Sequence, residues 1–268
     1  MKKMKRILAL SLALALCLCF AACGAASTGG SSGDSDSAYV KNNGKLIVGI
    51  TDFAPMDYQD ASGNWIGFDA DMAKAFAKTL GVDVEFQVID WDNKVMELNG
   101  KTIDCVWNGM TLSDEVKNSM ECSVPYCSNA QIVVVPAAVA SQYSTVDSLK
   151  ELNFAVENGS AGKEMAVENG FRYVEVVDMA TALLEVKSGT ADAAIIDSLM
   201  AAAMVGPGTD YADLAYTVGL NSEEYGVGFR KGSDLAAALN AFFKSAYDDG
   251  SLMSCAETYG VQAALLSQ

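Results

Sequence analysis

The chain has 268 residues and is 51% hydrophobic, enough for one large domain or two smaller ones around a sizeable core. Its formal net charge is −16 and it contains no histidine, which excludes an imidazole base, a Ser-His-Asp triad and any His-ligated metal. The acidity also argues against a nucleic-acid partner, since no basic stripe occurs, and reads as a solubilising surface.

The chain opens with a basic cluster, Lys2, Lys3, Lys5 and Arg6, followed by the apolar run "ILALSLALALCLCFAA" over 7–22, shorter than the roughly 20 residues of a spanning helix. The run ends "FAAC" at Cys23, which resembles a bacterial lipobox, although Phe20 stands where leucine is usual. Residues 1–23 are therefore expected to be a lipoprotein signal peptide with Cys23 as the lipidated residue. Residues 24–39, rich in Gly and Ser, are expected to be a flexible tether that holds a domain beside the membrane on its extracytoplasmic face. Beyond it, Cys105, Cys122, Cys127 and Cys255 match no zinc spacing, and no metal or cofactor is expected. Cys122 and Cys127 are close enough for a disulfide and equally compatible with buried thiols.

From residue 45 short apolar runs alternate with helical periodicity. "KLIVGI" (45–50) predicts a strand; 68–81 predicts a helix with Met72, Phe76 and Leu80 on one face and Gly81 as its stop. A strand over 82–89, a short helix over 92–98 and a strand over 103–107 follow, with Trp107 in the core. The next residues, "NGMTLSDEVKNSM" (108–120), leave that strand at a glycine and start a helix capped by Ser113. After a buried strand at 131–136 comes a second series: strands at 153–156, 173–177 and 192–196, with helices near 161–169 and 180–187. A strand at 225–230 and an amphipathic helix over 233–250, with Leu235, Leu239, Phe242, Phe243 and Ala246 as its stripe, complete the pattern.

The two series echo one another. "ELNGKTIDCVW" (97–107) aligns with "EVKSGTADAAI" (185–195), each a helix end, a polar turn and a strand carrying an aspartate, Asp104 or Asp192. Two similar α/β units, each with a mostly parallel sheet flanked by helices, are expected. Ligands of open parallel sheets sit at the carboxyl ends of the strands, which puts "NGMT" of one unit and Asp197 of the other in one crevice.

The stretches "KLIVGITDFAPMDYQDASGNWIGFDADMAKAFAKTLG", "WDNKVMELNGKTIDCVWNGMTLSDEVKNSMECSVPY" and "GVGFRKGSDLAAALN" resemble the amino-acid-binding extracytoplasmic receptors of ABC importers, the family 3 solute-binding proteins, over residues 44–260. The resemblance implies a two-lobed periplasmic-binding-protein fold joined by a two-strand hinge, with lobe 1 formed by 40–134 and 224–268 and lobe 2 by 135–223. It places Phe53 and Trp91 on either face of the ligand, with Asp52 beside the first. It also implies that Asn108, Gly109 and Thr111 hold the ligand by backbone and hydroxyl. The loop 158–162, with Ser160 and Ala161, would cradle a carboxylate, and Asp197 would pair with the α-ammonium.

One departure matters. The family pattern carries an arginine that grips the ligand carboxylate, and by position it belongs at 116; this chain has Val116, followed by Lys117. Adjacent helical residues point about 100° apart, so Lys117 does not automatically substitute, and lysine lacks the bidentate fork. Glu157 adds a carboxylate near the lobe-2 loop. Two ligand classes stay open: an amino acid or close derivative, and a cationic amine without a carboxylate. The expected partners are that small polar solute, an ABC permease and the membrane through the lipid anchor, with the receptor a monomer. An enzyme of dehydratase type on the same scaffold and a surface sensor are the rival readings.

Overall fold

The computed structural model describes residues 35–268. The signal segment with Cys23 and most of the expected tether lie outside the described residues. The end of the tether does not behave as one. Ser35 caps a helix, α1 (Asp36–Asn43), by accepting from the Ala38 amide at 3.1 Å, and Gly44 closes it in the left-handed region at φ 73°. Residues 35–39, part of the stretch 24–39 that composition marks as unstructured, are therefore ordered.

The first series is β1 (Lys45–Ile50), β2 (Tyr58–Gln59), β3 (Trp65–Ile66), α2 (Phe68–Leu80), β4 (Asp83–Val88), α3 (Lys94–Asn99), β5 (Cys105–Thr111), α4 (Asp114–Ser119), β6 (Glu121–Cys122) and β7 (Cys127–Asn129). The second is β8 (Gln131–Pro136), β9 (Asn153–Glu157), α5 (Ala161–Glu168), β10 (Arg172–Val176), α6 (Met179–Ser188), β11 (Ala193–Asp197), α7 (Ser198–Met204) and β12 (Leu214–Gly219). The chain then returns through β13 (Glu223–Phe229), α8 (Leu235–Asp248) and α9 (Ser251–Tyr259). Gly250, read from sequence as the end of the last helix, is the left-handed joint between two helices.

Two large sheets result, ordered β4-β1-β5-β13-β6, with β7 also on β13, and β10-β9-β11-β8-β12, beside a small pair of β2 and β3. Each large sheet holds three parallel strands, β1, β4 and β5 in the first and β9, β10 and β11 in the second, and these stand in the same order, second-first-third. The strands next to them, β13 and β8, run antiparallel because each comes from a crossing between the lobes rather than from a helical crossover. The echo seen in sequence has a physical basis. Asp104 accepts from the Ile47 amide at 3.0 Å and Asp192 from the Asn153 amide at 2.9 Å, so each aspartate, just before its own strand, ties it to the neighbouring β1 or β9. β8 pairs with β11 from Gln131 onward, opposite Asp197, which puts the first crossing at 129–131 rather than near 134.

The cores follow the predicted stripes. Met72, Phe76, Leu235, Leu239 and Phe243 pack with fully buried Trp107, Tyr126 and Tyr225 under the first sheet, while Phe154 stacks on Phe171 at 4.7 Å in the second lobe. The strand expected to stop at Trp107 runs on to Thr111. Gly109, at φ 54°, kinks it where the pairing with β13 shifts register between Gly226 and Gly228, and pairing resumes at Met110. All four cysteines of the described residues are free thiols.

Candidate functional site

A cavity of about 460 Å³ lies between the lobes at the carboxyl ends of β5, β9 and β11. One wall carries Trp91, Lys94, Thr111 and Val116 from the first lobe; the other carries Glu157, Ser160, Ala161 and Asp197 from the second. The lobes touch beside it. Lys94 Nζ donates to the Gly159 carbonyl at 2.9 Å and to the Trp91 carbonyl at 3.1 Å, and stands 5.0 Å from the Trp91 ring centroid. Gly159, at φ +71°, comes so close to the opposite lobe that an added Cβ would lie 2.7 Å from the Asp92 Cα.

Each cavity residue is held by its element. Asn108 is 3% exposed and its amide is committed. The oxygen accepts from the Thr51 amide at 2.9 Å and hydroxyl at 2.8 Å, and the nitrogen donates to the Thr51 carbonyl and to Asp57. It ties β1 to β5 and shapes the floor. The Gly109 amide donates to Asp69 at 2.7 Å, and Thr111 Oγ1 to Glu223 at 2.9 Å. Ser113 caps α4 through the Val116 amide at 3.3 Å, and Ser160 caps α5 through the Lys163 amide at 3.2 Å. The head of α5, at Ala161, therefore faces the cavity and favours negative charge there.

The second-lobe carboxylates are held differently. Asp197 accepts from the Tyr225 hydroxyl at 2.7 Å and from the Gln131 amide, itself bound to Glu223 at 2.8 Å; this web sits where both crossings meet. Burial, then the Glu223 charge, push Asp197 up to about 7. Glu157 is 2% exposed and its Oε1 has no hydrogen-bond partner. Burial and then the charges of Asp197 and Asp178 drive it well above the usual carboxylate range, with Lys94 and the Thr51 hydroxyl opposing. Lys94 is shifted down by burial, despite Glu157 and Glu115 beside it. Glu164, on α5, is raised by partial burial and by Glu115 across the cleft.

A family model described as "Bacterial extracellular solute-binding proteins, family 3" matches residues 46–262. The chain belongs to this family. Its relatives include the arginine-binding extracellular protein ArtP of Bacillus subtilis, 32% identical over 82% of this chain and 88% of that protein. The L-cystine-binding protein TcyJ of Escherichia coli is 31% identical over 82% and 84%. Among solved structures, a mutant of ArgBP from T. maritima superposes with a TM-score of 0.78 at 32% identity, covering 84% of this chain and 98% of that one. A more distant relative, the cyclohexadienyl dehydratase of Pseudomonas aeruginosa, is 24% identical over 60% of this chain.

Among the site residues expected of this family 3 protein from sequence, Trp91, Asn108, Gly109, Thr111, Glu157, Ser160, Ala161 and Asp197 all line the cavity. Three do not. Phe53 is 1% exposed and lies beneath the floor, edge-on to Tyr225 at 6.3 Å, where a Cβ on Gly109 would strike its ring at 2.4 Å. Asp52 is exposed beside this region, shifted up by partial burial and then by Asp178. Lys117 is exposed, one helical step away from Val116, which is on the cavity wall. Missed from sequence were Lys94, Glu115, Glu164 and Glu168. The i, i+4 spacing of Glu164 and Glu168 marked one face of α5, but nothing local showed that the face meets a cleft.

Proposed function

We propose that this chain is the extracytoplasmic receptor of an ABC importer, which captures an amino acid or a close derivative between its lobes and presents the closed form to a permease. The observation that carries the reading is the interlobe cavity. It has an aromatic wall at Trp91, a helix head at Ala161 suited to an anion, and a buried carboxylate, Asp197, suited to an ammonium. A ligand touching both walls favours the closed arrangement over the open one, and no covalent step is needed.

Binding of the twenty standard amino acids and of simple amines, followed by thermal shift and calorimetry, tests the reading. Micromolar binding of at least one amino acid is expected, together with a smaller radius of gyration by X-ray scattering. A second reading, a cationic amine without a carboxylate, is favoured by Val116, which puts an apolar side chain on the cavity wall where the family arginine is expected. Recovery of bound ligand unchanged by mass spectrometry separates both from a dehydratase.

The receptor is further proposed to be a monomer anchored through a lipid on Cys23. An alkyne fatty-acid label that enters the wild type but not Cys23→Ala supports the anchor; equal labelling rejects it.

A further inference from the structure

We infer that Glu157 is a specificity-determining residue that receives a second cationic group of the ligand, so that the site selects solutes of net positive charge. This deepens the receptor reading above and rests on it for the place of binding.

The starting observation is a pair of buried carboxylates that face the same cavity and are held in different ways. Asp197 has both oxygens engaged, by Tyr225 and Gln131. Glu157, only 2% exposed, keeps Oε1 without any partner. Buried polar atoms are rarely left so; Asp57 and Asp69 also keep one such oxygen in the core, but of the three carboxylates only Glu157 lines the cavity. None of the ion pairs among the described residues involves Glu157 or Asp197. The nearest cation, Lys94, spends its hydrogen bonds on the carbonyls of Trp91 and Gly159.

A single ammonium cannot neutralise both carboxylates. They repel one another, so one charge on the ligand leaves the other carboxylate dependent on a retained proton. The rest of the lining adds to the imbalance: Asp92, Glu115, Glu164 and Glu168 against Lys94 and Lys163. Asp178 and Asp52 extend the negative charge outward from Glu157 and Asp197, as their mutual influence shows. A neutral zwitterion leaves this balance unchanged. A solute with a guanidinium or amine beyond its first ammonium corrects it and supplies the Glu157 carboxylate with the counter-charge it lacks.

Four probes and two variants test the assignment: L-arginine, its neutral near-isostere L-citrulline, L-glutamine, and agmatine, which has two cationic groups and no carboxylate. Calorimetry on the wild type is expected to show L-arginine binding at least about 30-fold tighter than L-citrulline. Glu157→Gln is expected to bring that ratio below about 5-fold, and Glu157→Asp to retain most of it. Circular dichroism checks that the variants fold; if Glu157→Gln does not, the wild-type ratio and the Glu157→Asp ratio still decide. Citrulline or glutamine binding as tightly as arginine overturns the second-cation assignment while leaving the receptor reading intact. Binding by agmatine but by no amino acid upholds the assignment and overturns the amino-acid reading. An unchanged ratio in Glu157→Gln, or failure of both arginine and agmatine to bind, overturns the assignment.

Discussion

Val116 is the residue at which the reading of the ligand turns. It is 7% exposed, lies on the cavity wall, and its amide is tied to the Ser113 cap, so position 116 is fixed relative to the head of α5 opposite. A guanidinium there meets the anion-favouring end of α5, and carboxylate ligands gain a charge-assisted fork. Val116→Arg is expected to tighten L-arginine by about tenfold relative to agmatine, which has no carboxylate to grip. Calorimetry with the two compounds measures the ratio, and an unmoved ratio means that the carboxylate, if bound, is held elsewhere. The residues that sequence named divide on the same ground. Asp197 reaches the cavity as the last residue of β11, and Trp91 as the first residue of the short helical turn after β4. Phe53 is instead buried under Gly109, beneath the floor.

At the scale of elements, Arg230 joins three of them. It follows β13, is 8% exposed, and donates from Nη2 to Asp104 at 3.0 Å, from Nη1 to the Ile103 carbonyl at 2.8 Å, and from Nε to Asp36 at 3.0 Å. Asp104 in turn holds the Ile47 amide of β1. Arg230→Ala leaves Asp104 buried at 2% exposure without its counter-charge, and is expected to cost about 3 kcal/mol in urea unfolding. It should also release α1, so amide exchange across 36–43 rises. A loss below about 1 kcal/mol shows that the pair does little for stability. Composition put residues 24–39 in a tether because Gly and Ser dominate there; the helix beginning at Asp36 exists through a partner nearly two hundred residues away in the chain.

For the whole molecule the contact at Gly159 sets how far the lobes close. A methyl group there would lie 2.7 Å from the Asp92 Cα and on a backbone at φ +71°, so Gly159→Ala is expected to hold the cleft open. Ligand affinity should fall by about tenfold or more, and the ligand-induced decrease in radius of gyration should shrink. Normal affinity with normal compaction refutes the contact as a limit on closure. The acidic interior also fixes the pH response. Burial pushes Asp69 and Asp197 up to about 7, and Glu157 upward too. Between about pH 4 and 7 the folded state holds protons that the unfolded chain has released, so stability falls as pH rises through that window. The ligand-free protein should melt at a higher temperature at about pH 5 than at about pH 8, by calorimetry. A melting temperature that increases over that range contradicts the assignment of these carboxylates as protonated.

The sequence by itself determined the class of fold and the family. Periodicity, caps and the repeated aspartates are local signals, and the local physics of β1, α2, β9 and α6 agrees with the tertiary outcome. It also named eight residues of the cavity: "NGMT" and Asp197 stand at strand ends, where α/β sheets open their crevices, and the family resemblance pointed to Trp91 and the loop 158–162. What only the tertiary structure decided is which side chains share that space. Lys94, Glu115 and Glu164 come from separate elements of two lobes, and their mutual fields arise only when the lobes meet. The same holds for Glu157. Its residue type was visible, but the unengaged oxygen and the missing counter-charge are properties of burial, set by the packing of neighbours far away in the chain.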